Sequence, residues 1–451
     1  MDKKNQRKLI ALLFIGVLMG ALDISIVGPA IPSIEKALEI GTRYSGWIFS
    51  IYILFNLMGI SFFARLSDIY GRRNIYVIAL SVFALGSVIV SLTQNFPWLL
   101  TGRAIQGLGT SGIFPVASAL VGDMFPPEKR GRILGTIGAV FGLAFLIGPF
   151  IAGVLLKYFP WNSLFFINLP VAAFLLYFSF RLLPSKSPAK VSRIDWSGII
   201  FLGLTLAGFT LGINNIEADN LHSLLSLAVS LPLAVSVFAF ILLIFSEKKN
   251  TSPIIKFSFF KNNQIVTAGI LAVVTGLVQA CFVFIPKFVV GNFNVEPSTA
   301  SFMLTPFVLA TALGSPVFGR MIDKTGVKPV ILIALILLSS GFVFLAFTGT
   351  SLFLYYLSGV LVGLGSSVLS GSSLRYIMLN NTAAEDRAVS QGMLTIFISI
   401  GQLTGSALTG ILLALNKNSF SLIFNGISIL LFLMIFVSLR LKNGKLMSKS
   451  Q

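Results

Sequence analysis

The sequence predicts an all-α, polytopic membrane protein. Mean hydropathy is +0.92 and only 11% of residues are charged, against roughly 25% in a soluble domain. Apolar stretches of about 20 residues, the length needed to cross a hydrocarbon core, recur along the whole chain. The basic residues between them gather in alternate loops, as they do where Lys and Arg set the orientation of a membrane protein.

Fourteen stretches have the length and composition of a span. They lie near 9–33, 44–63, 74–93, 97–121, 132–156, 162–183, 196–214, 221–245, 264–289, 298–318, 329–348, 351–378, 389–414 and 419–439. The first follows Lys3, Lys4, Arg7 and Lys8 and so has the look of a signal peptide. No small-residue cleavage site follows, and the apolar run continues past Asp23, so the reading is a retained first span. With the amino terminus inside, the basic residues of 65–73, 129–132, 186–193, 248–261, 320–328 and 440–449 all fall in the cytoplasm. The outer loops hold Lys36, Arg43, Lys157, Lys287 and Lys417. Both termini are therefore expected to be cytoplasmic, and one span more or fewer would invert everything downstream.

Two cytoplasmic loops resemble each other. Asp68-Ile69-Tyr70-Gly71-Arg72-Arg73 follows the second span, and Asp323-Lys324-Thr325-Gly326-Val327-Lys328 follows the tenth. Each is an Asp-x-x-Gly-x-basic turn after the second helix of a six-helix set. The repeat divides the chain into a six-helix bundle (1–185), an inserted pair of helices 7 and 8 (186–246), a cytoplasmic linker (247–263) and a second six-helix bundle (264–451). A short interfacial helix is expected in the linker at 254–260. Repeats of this kind place a substrate site near the midplane between halves.

The composition narrows the chemistry. One cysteine, Cys281, excludes an intrachain disulfide and a thiolate metal cage, and one histidine, His222, excludes a multi-histidine metal site. Ordinary packing or loop positions account for both residues. A net charge of +18 would suggest nucleic acid in a soluble protein; here the charges lie in short loops and no nucleic-acid partner is expected. No cofactor is expected either.

Asp23 is the acidic residue that falls inside the hydrocarbon, where a carboxylate is costly and marks a functional site with a partner to be found. It is either a proton carrier or a structural Asp that neutralises a cation or bonds a helix backbone. Arg103, in the fourth span, is the basic residue well inside a span. It lies roughly 9 Å from the outer end of its helix and Asp23 roughly 15 Å from the outer end of its own, at about 1.5 Å per residue. The two can share a layer, directly or through Gln106 or water; alternatively Arg103 snorkels outward and never meets Asp23.

These residues sit in segments that resemble a known family. The two repeated loops are similar to the Gly-x-Leu-Ala-Asp-Arg-x-Gly-Arg-Lys loop of the major facilitator superfamily. Arg103-Ala104-Ile105-Gln106-Gly107-Leu108-Gly109 resembles its Arg-x-x-Gln-Gly-x-Gly motif. The fifth span carries Gly135 and then Gly148-Pro149-Phe150-Ile151-Ala152-Gly153, close to the antiporter motif Gly-Pro-x-x-Gly-Gly with Ala152 for one glycine. Leu22-Asp23-Ile24-Ser25-Ile26-Val27-Gly28-Pro29-Ala30-Ile31-Pro32 resembles the Leu-Asp-x-Thr-Ile-Val-Asn-Val-Ala-Leu-Pro segment of drug:proton antiporters, with Ser25 for Thr and Gly28-Pro29 for Asn-Val. Trp161 to Pro170 and Ile194 to Gly198 resemble the entries to helices 6 and 7 in the fourteen-helix branch.

The resemblance implies two six-helix bundles around a central cavity, with an inserted hairpin. It implies proton-coupled export of hydrophobic or amphipathic, cationic drugs by alternating access across the cytoplasmic membrane, by a monomer whose partners are protons, a small molecule and lipid. Asp23, Arg103 and Gln106 would couple the proton. Asp68, Gly71, Arg72, Arg73, Asp323 and Gly326 would latch the inner side. Gly135, Gly148, Pro149 and Gly153 would shape the antiporter helix. Phe55, Phe114, Phe145, Gln279 and Phe282 would line the pocket. Export of an endogenous metabolite, lipid or siderophore would use the same machinery. An importer fits Gly148-Pro149 less well, and a passive channel fits the repeated latch loops less well. A membrane enzyme lacks a Ser/His/Asp set, a metal cluster and a phosphate loop in this sequence.

Overall fold

A computed structural model of the chain describes residues 3–125, 127–183, 195–216, 223, 225–250, 255–370, 373–383, 387–415 and 419–442. Their regular structure is helical. The first half contains α1 (Lys3–Ser25), α2 (Val27–Leu38), α3 (Thr42–Tyr70), α4 (Arg72–Leu92), α5 (Phe96–Met124), α6 (Pro127–Tyr158), α7 (Ser163–Phe166) and α8 (Asn168–Leu182). Then come α9 (Trp196–Asn214) and α10 (Leu227–Lys249). The second half contains α11 (Asn263–Phe293), α12 (Pro297–Met303), α13 (Thr305–Thr325), α14 (Val327–Ala346), α15 (Leu352–Leu369), α16 (Ser373–Asn380), α17 (Arg387–Leu415) and α18 (Ser419–Ser438).

Among the described residues, 13 helical stretches are long and apolar enough to cross a membrane. The remaining expected span, 132–156, falls on α6, a helix of 32 residues whose described side chains include the apolar stretch Ile147–Tyr158.

Proline explains where spans break. The first span is two helices because Pro29 offers no N–H to the Ser25 carbonyl and its ring crowds that oxygen; α1 accordingly ends at Ser25 and α2 begins at Val27. Pro306 does the same to the Phe302 carbonyl, and the chain divides at Leu304 between α12 and α13. Proline stays inside α5, α6, α10 and α11 (Pro115, Pro149, Pro232 and Pro286) without ending the helix.

The two repeated loops share one backbone conformation. Gly71 has φ 92° and ψ 140°, and Gly326 has φ 91° and ψ 168°. These positive-φ geometries favour glycine, and each lets a helix reverse in a single residue. The conserved spacing of the two turns thus reflects a shared α3–α4 and α13–α14 hairpin.

In the first half α5 packs between α3 and α4; in the second, α11 pairs with α17 and α15 lies between α13 and α14. The halves meet through α2 on α11, α3 on α17 and α6 on α12. The inserted α9 leans on α10 and also on both α3 and α17, so it covers a seam between the halves. The outer face of α10 exposes Leu227, Leu231, Phe238 and Phe245 at 59–79%, a surface suited to lipid.

Among the described residues, the polar bonds between the halves gather at the end away from Gly71 and Gly326. The Ser50 and Ser406 hydroxyls lie 2.5 Å apart, and Ser406 also donates to the Gly46 carbonyl at 3.2 Å. Lys287 Nζ donates to both carboxylate oxygens of Glu35 at 2.7 and 2.5 Å. The Gly28 backbone approaches so closely that a Cβ there would lie 2.9 Å from the Val283 carbonyl oxygen.

The linker differs from expectation. In place of an interfacial helix at 254–260 there is a five-residue 3₁₀ turn, Phe257–Lys261, and Ile254 lies outside the described residues. Phe259 and Ile255 are buried in an apolar cluster that draws on both halves, so these two residues pack inward.

Candidate functional site

The site grows from polar residues that cannot reach water. Arg103 and Gln106 are three residues apart on α5 and therefore share a face. Asp23 lies at the end of α1, two residues before the break, and Asn168 is the first residue of α8. All four are buried: Asp23, Arg103 and Gln106 at 0% exposure and Asn168 at 3%.

Arg103 Nη1 donates to Asp23 Oδ2 at 2.5 Å and to Gln106 Oε1 at 2.8 Å. The other carboxylate oxygen, Oδ1, accepts from Gln106 Nε2 at 3.0 Å and from Asn168 Nδ2 at 2.9 Å. Ser87 on α4 closes the network, with its hydroxyl accepting from Gln106 at 2.8 Å. Arg103 Nε donates to the Ile48 carbonyl at 3.3 Å. The guanidinium lies over the Tyr52 ring at 4.3 Å, and the Phe165 ring lies 5.6 Å away. Arg103 does not snorkel outward.

An isolated Asp or Arg costs about 2.5–3.5 kcal/mol at the centre of a span. Here each offsets the other. The aromatic face of Tyr52 contributes about 2 kcal/mol more in a desolvated setting, and its hydroxyl is anchored to Thr110 at 2.9 Å. Among the described residues Arg103 Nη2 has no hydrogen-bond partner. The network is charge-neutral and joins α1, α4, α5 and α8.

The helix α6 touches the same segment. Ser25 donates to the Leu22 carbonyl at 2.9 Å and to the Ala144 carbonyl of α6 at 3.0 Å. Any Cβ on Gly148 would collide with the Ser25 hydroxyl. Pro149 is buried, and Gly153 faces Phe302 of the second half, whose ring would lie 2.9–3.0 Å from an added Cβ. Thus α6 contacts α1 through Gly148 and the other half through Gly153. The surroundings of Gly135 and the side chain of Phe145 lie outside the described residues.

The residues expected to form a latch divide. The side chains of Asp68 and Asp323 lie outside the described residues. Arg72 Nη1 donates to Ser67 at 2.6 Å and its Nε to Asp123 at 3.0 Å, both within the first half. Arg73 lies over the Phe180 ring at 5.2 Å, also in the first half.

The expected pocket residues are spread over four helices, α3, α5, α6 and α11. Phe114 on α5 is 36% exposed, and Phe55 on α3 is half-buried. Phe282 on α11 packs on Phe307 and Phe342 of its own half, with ring centroids 4.5 and 6.1 Å away. Gln279, also on α11, donates to Ser370 at 2.9 Å and accepts from Gln402 of α17 at 2.8 Å.

Asn168, Ser87 and Tyr52 were not foreseen as partners of the ion pair. Asn168 had a signal, a carboxamide in an otherwise apolar span; Ser87 and Tyr52 had none beyond a hydroxyl in a membrane helix.

The Major Facilitator Superfamily profile matches residues 13–290 and 268–450. Multidrug resistance protein 3 of Bacillus subtilis (strain 168) is 32% identical over 357 residues, covering 76% of this chain and 67% of that protein. An uncharacterized transporter of the same organism, YfiU, is 30% identical over 406 residues, 89% of this chain and 78% of its own. In the solved structures, the nucleoside transporter NupG superposes with a TM-score of 0.69 at 13% identity, over 98% of this chain and all of its own, and so shares the fold. Sequence and architecture agree: this chain is a multi-pass membrane transporter belonging to the Major Facilitator Superfamily.

Proposed function

We propose that the chain is a proton-coupled exporter of amphipathic small molecules, with Asp23 as the coupling carboxylate. The observation that carries this reading is the fully buried Asp23–Arg103 pair, held by Gln106 and Asn168 where water does not reach. Several relatives carry the name multidrug resistance protein, which supports a drug-like substrate.

The geometry suggests how a proton would do work. With Asp23 ionised, the network is neutral and compact. Protonation leaves Arg103 as an uncompensated buried charge, and that arrangement costs several kcal/mol. The stable response is movement of α1 relative to α5. Ser25, two residues on, grips α6, and Gly28 lies against α11 of the other half. A shift at Asp23 therefore bears on the contacts that close one end of the bundle. A proton can bias the halves this way only through unequal affinity for the two arrangements. By the positive-inside argument the Gly71 and Gly326 end is cytoplasmic, and the Glu35–Lys287 end is external.

Two measurements test this reading. In proteoliposomes, adding substrate should release protons and support counterflow; substrate flux with no movement of protons would refute coupling. Single cysteines at 186–193 and 248–261, in a Cys281→Ser background, should label only from the cytoplasm. Labelling of either segment only from outside would overturn the fourteen-helix topology and the proposed orientation.

A further inference from the structure

Helix α2 has two faces, and they belong to different halves. One face meets α11 of the second half at two points. Gly28 brings the α2 backbone onto the Val283 carbonyl. Seven residues on, along the same face of α2, Glu35 receives Lys287 Nζ on both carboxylate oxygens at 2.7 and 2.5 Å. Val283 and Lys287 are four residues apart on α11 and share a face there too. Of the ion pairs between described residues, Arg72–Asp123 and Arg103–Asp23 lie within the first half, and Glu35–Lys287 joins the halves.

The other face of α2 is apolar and sits in the first half. Val27, Ile31 and Ile34 are buried with Ile48 of α3, Ala152 of α6 and Leu164 of α7, in a cluster drawn mainly from that half, with Phe284 from α11. Lifting this face away would expose apolar surface to water, which is unfavourable. The face toward α11 carries instead a glycine and a charge. The same seam continues between α3 and α17, where Ser406 meets Ser50 and the Gly46 carbonyl.

The ion pair suits a contact that forms and parts. A fully exposed pair contributes little, and a fully buried one resists separation because parting strands a charge away from water. Lys287 and Glu35 lie between these limits, with side chains 19% and 14% exposed. Water can take the place of each partner as they separate.

We infer that Glu35 and Lys287 form the clasp of the external gate: the bundle opens at that end along the seam between α2 and α11, and the strength of this pair sets the fraction of molecules closed there. The inference rests on the transport reading and the orientation proposed above. Removing either charge favours the open arrangement over the closed one and so shifts the population toward it.

The test uses the full chain in membrane vesicles, with one cysteine at Ser406, a seam position at 0% exposure, in a Cys281→Ser background. The rate of its modification by a membrane-impermeant methanethiosulfonate is measured in right-side-out and inside-out vesicles. Glu35→Gln and Lys287→Gln should each speed modification from outside about tenfold or more, the scale of one lost contact between ionised partners. The exchanged pair, Glu35→Lys with Lys287→Glu, should return the rate toward that of the parent, which a role in folding alone would not do. Should either single variant fail to reach the membrane, Glu35→Asp, which shortens the acid by one methylene, should give an intermediate rate. Unchanged rates in the single variants overturn the clasp, and so does an exchanged pair that stays as fast as they are. Acceleration from the cytoplasmic side alone overturns the orientation and leaves the clasp standing. Labelling needs no substrate, so a chain that moves no protons would lose the coupling reading without altering this result.

Discussion

Asp23→Asn is expected to abolish gradient-driven accumulation while leaving substrate exchange in place. The asparagine keeps the shape of the side chain and one acceptor oxygen, which can serve either Arg103 or the Gln106–Asn168 pair, so part of the four-helix junction has a way to persist. It cannot take up and release a proton. A proton shifts a two-state equilibrium only by its differential affinity, and about 2.7 kcal/mol of that affinity corresponds to about 100-fold in population. Net transport against a gradient should therefore fall at least about 100-fold, with counterflow reduced far less. The substitution also leaves the Arg103 charge uncompensated, and removing one partner of a buried pair costs about 3–5 kcal/mol. Asp23→Glu separates the two effects: it restores the charge with one extra methylene and should recover part of the coupling. Detergent-extracted protein of normal yield, with exchange intact and accumulation gone, is the expected combination. Accumulation by Asp23→Asn at the parental rate would show that the proton is carried elsewhere.

Much of this arrangement was legible in the chain because lipid makes polar residues conspicuous. Asp23 and Arg103 stood out as charges in apolar runs, and helix rise placed them within reach of one layer. What the rise could not supply was rotation about each helix axis and the identity of the third and fourth partners. Asn168 joins Asp23 from 145 residues away and Ser87 joins Gln106 from 19; such contacts depend on how whole helices pack. The break at Ile26 was encoded by Pro29, yet it shows its consequence only when α2 is seen against α11. The linker differs for a similar reason: a short interfacial helix is expected at 254–260, but tertiary packing takes Phe259 into the core.

Gly148→Leu is expected to abolish transport by a different route. At Gly148, α6 approaches α1 so closely that even one methyl group would overlap the Ser25 hydroxyl. Small residues allow such backbone approach between membrane helices, and tight packing is what holds them together there. A leucine must push α1 and α6 apart, removing the Ser25 bond to the Ala144 carbonyl and displacing the segment that carries Asp23. Overpacking of this kind costs about 1–3 kcal/mol, occasionally more, so folded protein should still reach the membrane in reduced amount. Transport per folded molecule should drop below detection in both net flux and counterflow, because the α1–α6 contact is needed whichever way substrate moves. That separates it from Asp23→Asn, which spares exchange. Gly148→Ala, a smaller intrusion, should be intermediate, and Ser25→Gly in the same chain should partly restore it by removing the opposing hydroxymethyl. Failure of Ser25→Gly to improve Gly148→Ala, or normal export by Gly148→Leu, would show that this contact does not transmit the movement of α1.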